Sequence, residues 1–205
     1  MWPSAVILAR WIMSNRLLLS NKSIMELGSG CGLTGLVAAF AVCNSKVIQT
    51  DVSDVVLDNL QRNIELNDLS DRECTAKLDF YQQIGEESEV GWIDGQDGTV
   101  HQTVDVILAA DVICKDADAF ALAHTLRRSL AASGKAFIVC ATANHRFGVD
   151  KFHKYCTHVG LGIVSTPVED IMNGQLLSGD GVQQGLEQTC GYVEGMKFLF
   201  LEVSK

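Results

Sequence analysis

Basic residues are scarce in this chain of 205 residues: Lys and Arg number 16 against 25 Asp and Glu, for a formal net charge of −9. A protein that grips nucleic acid by neutralising phosphates needs a basic face, so no nucleic-acid partner is expected. A macromolecular partner, if there is one, is expected to be basic. Also missing is any run of the roughly 18 apolar residues that a bilayer span requires. Met1-Trp2-Pro3 carries no charged leader of a secretory signal, and no membrane partner is expected. The seven cysteines, Cys31, Cys43, Cys74, Cys114, Cys140, Cys156 and Cys190, are odd in number and form no CxxC pair. That pattern reads as reduced thiols in an intracellular protein, cytoplasmic with the nucleus as the alternative, and argues against zinc or redox work. No internal repeat or low-complexity tract is present. With 47% hydrophobic residues, the chain is long enough to bury a core, and one domain over residues 1–205 is expected.

What the sequence has is a stretch where an apolar run meets a cluster of glycines: Ser23-Ile24-Met25-Glu26-Leu27-Gly28-Ser29-Gly30-Cys31-Gly32-Leu33-Thr34-Gly35-Leu36. Glycine lets the backbone take positive φ and lets a ligand atom approach the peptide plane. The free N–H groups of the helix that follows supply donors. The pattern is strand, turn, helix, and the turn is the candidate binding site.

The remaining elements follow from period and punctuation. An opening helix is expected within residues 1–20, entered at Pro3. Strands are expected at 24–27, 45–50, 74–80, 104–110, 134–141, 161–166 and 197–203. Helices are expected at 33–40, 54–67, 116–132 and 149–159. The nearly continuous apolar run at 104–110 suits a strand covered on both faces. Residues 81–102 read mainly as a loop, and 167–196 as a loop or insertion between the last two strands. Strands alternating with helices predict an α/β, Rossmann-like, doubly wound sheet of seven strands. Since no helix is evident between the last two strands, the last strand is expected to return antiparallel.

Gly30-x-Gly32-x-x-Gly35, with Asp51 about 20 residues on to accept ribose hydroxyls, fits the dinucleotide fingerprint. Two features shift the reading. Glu26, at the strand tip two residues before Gly28, would oppose a pyrophosphate and attract an ammonium or sulfonium. The antiparallel last strand points the same way. With these residues the chain resembles the class I, seven-β-strand methyltransferases that use S-adenosyl-L-methionine. Trp2-Pro3-Ser4-Ala5, Thr50-Asp51 with Asn59, Asn63 and Asn67, and Ala110-Asp111-Val112-Ile113 make it similar to the methyltransferase-like family rich in protein-lysine methyltransferases.

The resemblance implies that Glu26, Gly28 and Gly30 line the methionine half of the cofactor, and that Asp51 holds the ribose diol. It implies further that Asp79 meets the adenine amino group with Phe80 packed on the ring, that Trp2 packs beside the cofactor, and that Ala110 opens towards the methyl group. Asp111 is the expected catalytic residue, orienting the target amine. The implied substrate is a basic or lysine-bearing protein segment; a small amine substrate and a non-catalytic binding module are the alternatives. A nicotinamide-dependent oxidoreductase is more distant. Two departures stand out. Cys114 occupies the position where that branch carries an aromatic residue, and Trp2 lies almost at the start, so an incomplete cofactor lid is expected. His145-Arg146 reads as a surface loop, Glu86-Glu87-x-Glu89 as a patch suited to a basic substrate, and His153 with His158 as no metal pair; no metal is expected.

Overall fold

The structure is a computed structural model that describes residues 1–84, 92–93, 100–101, 103–179 and 181–205. The strands β1 (Ser23–Leu27), β2 (Lys46–Asp51), β3 (Glu73–Lys77), β4 (Val104–Ala110), β5 (Leu130–Ala141), β6 (Gly162–Pro167) and β7 (Phe198–Ser204) form one sheet. Its order is β3-β2-β1-β4-β5-β7-β6. The first five are parallel to one another, and β7 is antiparallel to both β5 and β6. The expected sheet and its antiparallel last strand are both present. A short ladder pairs Trp92–Ile93 with Val100–His101; the Glu86, Glu87 and Glu89 patch lies outside the described residues.

Side chains alternate across the sheet, and each face has its own core. Ile24, Val47, Val106, Leu108, Phe137 and Val139 face the helices α1 (Pro3–Ser14), α3 (Leu33–Ala41) and α4 (Asp54–Leu66). Trp11 of α1 stands on this face, 4.4 Å from the Phe137 ring and 5.1 Å from that of Phe200. Met25, Leu27, Ile107, Ala109 and Ile138 face α5 (Asp116–Ser129) and α6 (Val149–His158). A parallel sheet covered on both sides leaves its strand ends as the place where a ligand can reach backbone. The register sets that edge: Leu27 of β1 lies opposite Thr50 of β2 and Ala109 of β4. Gly28, Asp51 and Ala110 therefore emerge side by side.

Several boundaries differ from those expected. The opening helix breaks at Asn15, whose side chain donates to the Trp11 carbonyl, and resumes as α2 (Arg16–Leu19). The third strand stops at Lys77, because Asp79 caps a 3-10 turn over Phe80–Gln83 by accepting from the Tyr81 amide. Leu130 is already paired with Val104, ahead of a register irregularity, so α5 ends and β5 begins earlier than the apolar pattern suggests. Between β6 and β7 the chain forms a short 3-10 segment, Val168–Gly174, and helix α7 (Val182–Glu187).

That connection is fastened to α1. Arg10 donates through Nε to the Leu176 carbonyl at 2.9 Å and through Nη2 to those of Gln175 and Ser178 at 3.0 and 2.9 Å. The Cys190 amide donates to the Met1 carbonyl at 2.9 Å. Removing one charged donor from three carbonyls costs about 1–3 kcal/mol. Arg10→Ala is expected to lower the melting temperature by several degrees and to make residues 175–195 the first site of limited proteolysis, as peptide mapping will show.

Candidate active site

Glu26 is where the glycine turn is fixed. It is only 3% exposed, and its Oε2 accepts the Gly35 amide at 2.9 Å and Gln49 Nε2 at 3.3 Å. Gln49 also donates to the Gly32 carbonyl at 2.7 Å. A Cβ on Gly35 would run into the Gln49 side chain. The last glycine of the motif is thus required by the sheet beneath the helix. Gly30 differs: its φ is +54° and a Cβ there would meet nothing within 4 Å. Its backbone faces open space, where a ligand can lie against it.

Burial pushes the Glu26 carboxyl up to about 7. Glu73, at the start of β3, is 2% exposed, and neither of its side-chain oxygens has a hydrogen-bond partner. Burial, and secondarily the charge of Glu26, push it up to about 8. A buried carboxyl without donors is protonated because the charged form cannot be solvated.

The strand ends open into two adjoining cavities of about 400 and 360 Å³ that share Gly28, Phe80 and Val112. Asp51 and Asp79 line the first, together with Leu78, Tyr81 and Asp118. Trp2, Glu26, Gly30, Ala110 and Asp111 line the second. All eight residues singled out from the sequence therefore lie along one continuous cleft. Asp51 accepts the Gly30 amide at 3.2 Å and the Ser53 amide at 3.1 Å, which holds it beside the turn. Tyr81 donates its hydroxyl to Asp118, which also accepts the Cys114 and Lys115 amides at the start of α5. That chain of contacts ties the 3-10 turn to the far wall.

Asp111 has a partner that local pattern did not suggest. It follows β4 in the left-handed region, φ +61°, and its side chain is only 1% exposed. Arg146 donates through Nη2 to Oδ2 at 2.6 Å and through Nε to Oδ1 at 3.1 Å. The guanidinium also stacks over Trp2, 4.9 Å from the ring centroid. Arg146 is therefore no plain surface-loop residue: a bidentate, largely buried pair joins the tips of β4 and β5. The pairing spans 35 residues, and no spacing within the sequence announces it. Gln49 was missed for the same kind of reason, being read only as part of a strand. Cys114 sits beyond Asp111 with a thiol that burial raises above its ordinary value, so it is no activated nucleophile. Aromatic walls of the second cavity come instead from Trp2 and Phe80.

Residues 1–157 match a family model described as "Lysine methyltransferase". The chain belongs to this family. It is 38% identical over 133 residues to the human protein-lysine N-methyltransferase EEF2KMT, a match covering 62% of this chain and 38% of that protein. It is 29% identical over 165 residues to the calmodulin-lysine N-methyltransferase of Arabidopsis thaliana, covering 80% of this chain and 51% of that one. The chain thus spans about two fifths to one half of the length of these relatives. The fold is similar to that of a TehB-like SAM-dependent methyltransferase from Corynebacterium glutamicum, with a TM-score of 0.57 and 17% identity over 97% of this chain and 87% of that one. At that identity the likeness concerns the fold.

Glu26 under the glycine turn and Glu73 near it are both buried acids, and stability should report on them. Both carboxyls hold protons in the folded state that the unfolded chain releases above about 4.5, so stability is full below that pH and is lost as pH rises through about 7 to 8. Glu73→Gln removes one of these losses. It is expected to raise the melting temperature at pH 8.5 by at least about 2 °C, the equivalent of roughly 1 kcal/mol at this size, with little change at pH 5 in the same thermal scan.

Proposed function

We propose that the protein is an S-adenosyl-L-methionine-dependent protein-lysine N-methyltransferase. The observation that carries this reading is the continuous cleft in which an open glycine backbone at Gly30 lies between an acid suited to a ribose, Asp51, and a buried acid suited to a cation, Glu26. A dinucleotide would set a pyrophosphate near Glu26; a methionine derivative sets an ammonium and a sulfonium there. The family to which the chain belongs supports the lysine substrate, as do relatives that are protein-lysine methyltransferases.

In this reading the larger cavity takes the adenosine. Asp51 accepts from the ribose diol, Asp79 from the adenine amino group, and Phe80 and Leu78 flank the base. The smaller cavity takes the methionine half, with Glu26, Gly28 and Gly30 on its glycine side and Trp2, Ala110 and Asp111 on the other. A cation near Glu26 favours its ionised form and opposes the desolvation that now raises it. When bound, the cofactor supplies a methyl carbon already activated by the sulfonium. The chain's own task is alignment: Trp2, Phe80 and Val112 form apolar walls that exclude water and confine the entering amine to one approach. No group of the cleft needs to form a covalent intermediate.

The partner in this reading is a protein with a lysine-bearing, basic segment; the net charge of −9 supports it and disfavours nucleic acid. The reading extends to a cytoplasmic or nuclear location, supported by seven free cysteines.

Incubation of a cell extract with methyl-labelled cofactor and the purified chain should place label on lysine residues of protein, identified by mass spectrometry. Asp51→Ala is expected to reduce that labelling at least tenfold. Label confined to small amines would favour the small-molecule alternative, and retained cofactor binding without any labelled acceptor would favour a non-catalytic module. Gly30→Ala is expected to stay folded, with about 1–2 kcal/mol of strain from its positive φ. Its new Cβ should weaken S-adenosylhomocysteine binding at least tenfold by calorimetry.

A further inference from the structure

A carboxylate beside an aromatic face is a pairing that recognises an ammonium group. Asp111 and Trp2 supply both elements on the wall of the smaller cavity, and a cation of the chain itself already fills them. The Arg146 guanidinium makes a two-pronged contact with Asp111, at 2.6 and 3.1 Å, and lies 4.9 Å from the centre of the Trp2 ring. Its side chain is 18% exposed, and that of Asp111 is 1% exposed.

The surroundings hold this arrangement in place. The Asp111 amide donates to the Val139 carbonyl at 2.8 Å, which fixes the turn at the tip of β4. The turn that carries Arg146 ends at Gly148, where a Cβ would stand 2.7 Å from the Lys115 carbonyl oxygen, so backbone packs directly on backbone. Gly191 also packs against Trp2, its missing side chain leaving room for the indole. The buried carboxylate cannot pair with a new cation unless the guanidinium leaves.

We propose that Arg146 is a specificity-determining residue: a resident cation that fills the ammonium subsite of Asp111 and Trp2, so that the target amine is admitted uncharged. The inference rests on the cofactor reading of the cleft. A protonated amine must displace the guanidinium from a buried carboxylate and leave a cation without its partner, which is strongly unfavourable. A neutral amine meets no such demand, and only the neutral form carries the lone pair that attacks carbon. The acid expected to orient an ammonium is thereby kept from trapping the unreactive form.

The test compares two probes on the full chain by calorimetry. S-adenosylhomocysteine has no charge at sulfur; sinefungin carries an ammonium group in place of the methyl-sulfonium. The readout is the ratio of their dissociation constants. Arg146→Gln frees Asp111 and is expected to tighten sinefungin relative to S-adenosylhomocysteine at least tenfold. Asp111→Asn leaves the guanidinium without its counter-charge and is expected to weaken sinefungin, relative to the same reference, at least threefold. The Arg146→Gln, Asp111→Asn double variant is expected to return within threefold of the wild-type ratio. Should Arg146→Gln fail to melt cooperatively, Asp111→Asn decides the matter alone. A ratio that stays at the wild-type value in every folded single variant overturns the proposal. A wild-type chain that binds neither probe overturns the cofactor reading itself, and the proposal with it.

Discussion

Glu26 accepts the Gly35 amide from the start of the helix that follows the glycine turn, and shares Gln49 with the Gly32 carbonyl. Most of the site's geometry depends on that buried network. It draws the N-terminus of α3 onto the end of β1 and leaves Gly30 as the point where backbone meets open space. An acid in this position costs desolvation, which is visible in its pKa of about 7. A structure built only for stability has little reason to carry it, and less reason to set another acid, Glu73, which has no hydrogen-bond partner, close enough to feel its charge. Buried ionisable groups with displaced pKa values gather where a ligand's charge is to be met.

The second constraint lies at the other end of the cleft. Asp111 and Arg146 join the tips of two adjacent strands, and Trp2 bridges that pair to the connection between β6 and β7. The N-terminal residues and the late connection thus form one wall together, although nearly the whole chain separates them. Arg10 fastens the same connection a few residues further along α1.

Much of this was legible in the sequence because the signals were local. The seven-stranded sheet follows from alternating apolar strands and helices, and the antiparallel β7 from the lack of an evident crossover helix. Glu26, Gly28, Gly30 and Asp51 are legible because turn chemistry depends on spacing over a few residues, and the register between β1 and β2 then brings them together. What escaped depends on contacts between distant segments. Arg146 lies in an ordinary polar turn until the fold sets it over Asp111. Gln49 is one residue of a buried strand until α3 lies above it. The short helix α7 escaped for another reason: only Val182 and Leu186 of its six residues are buried in the core, and so short a segment needs little helical period of its own.

The central claim is that the cleft is shaped for a cationic methionine derivative and not for a pyrophosphate. Calorimetric titration of the wild-type chain with S-adenosylhomocysteine and with NAD tests it most directly. The account predicts saturable one-to-one binding of S-adenosylhomocysteine and none of NAD at the same concentrations. Binding of NAD without binding of S-adenosylhomocysteine would contradict it.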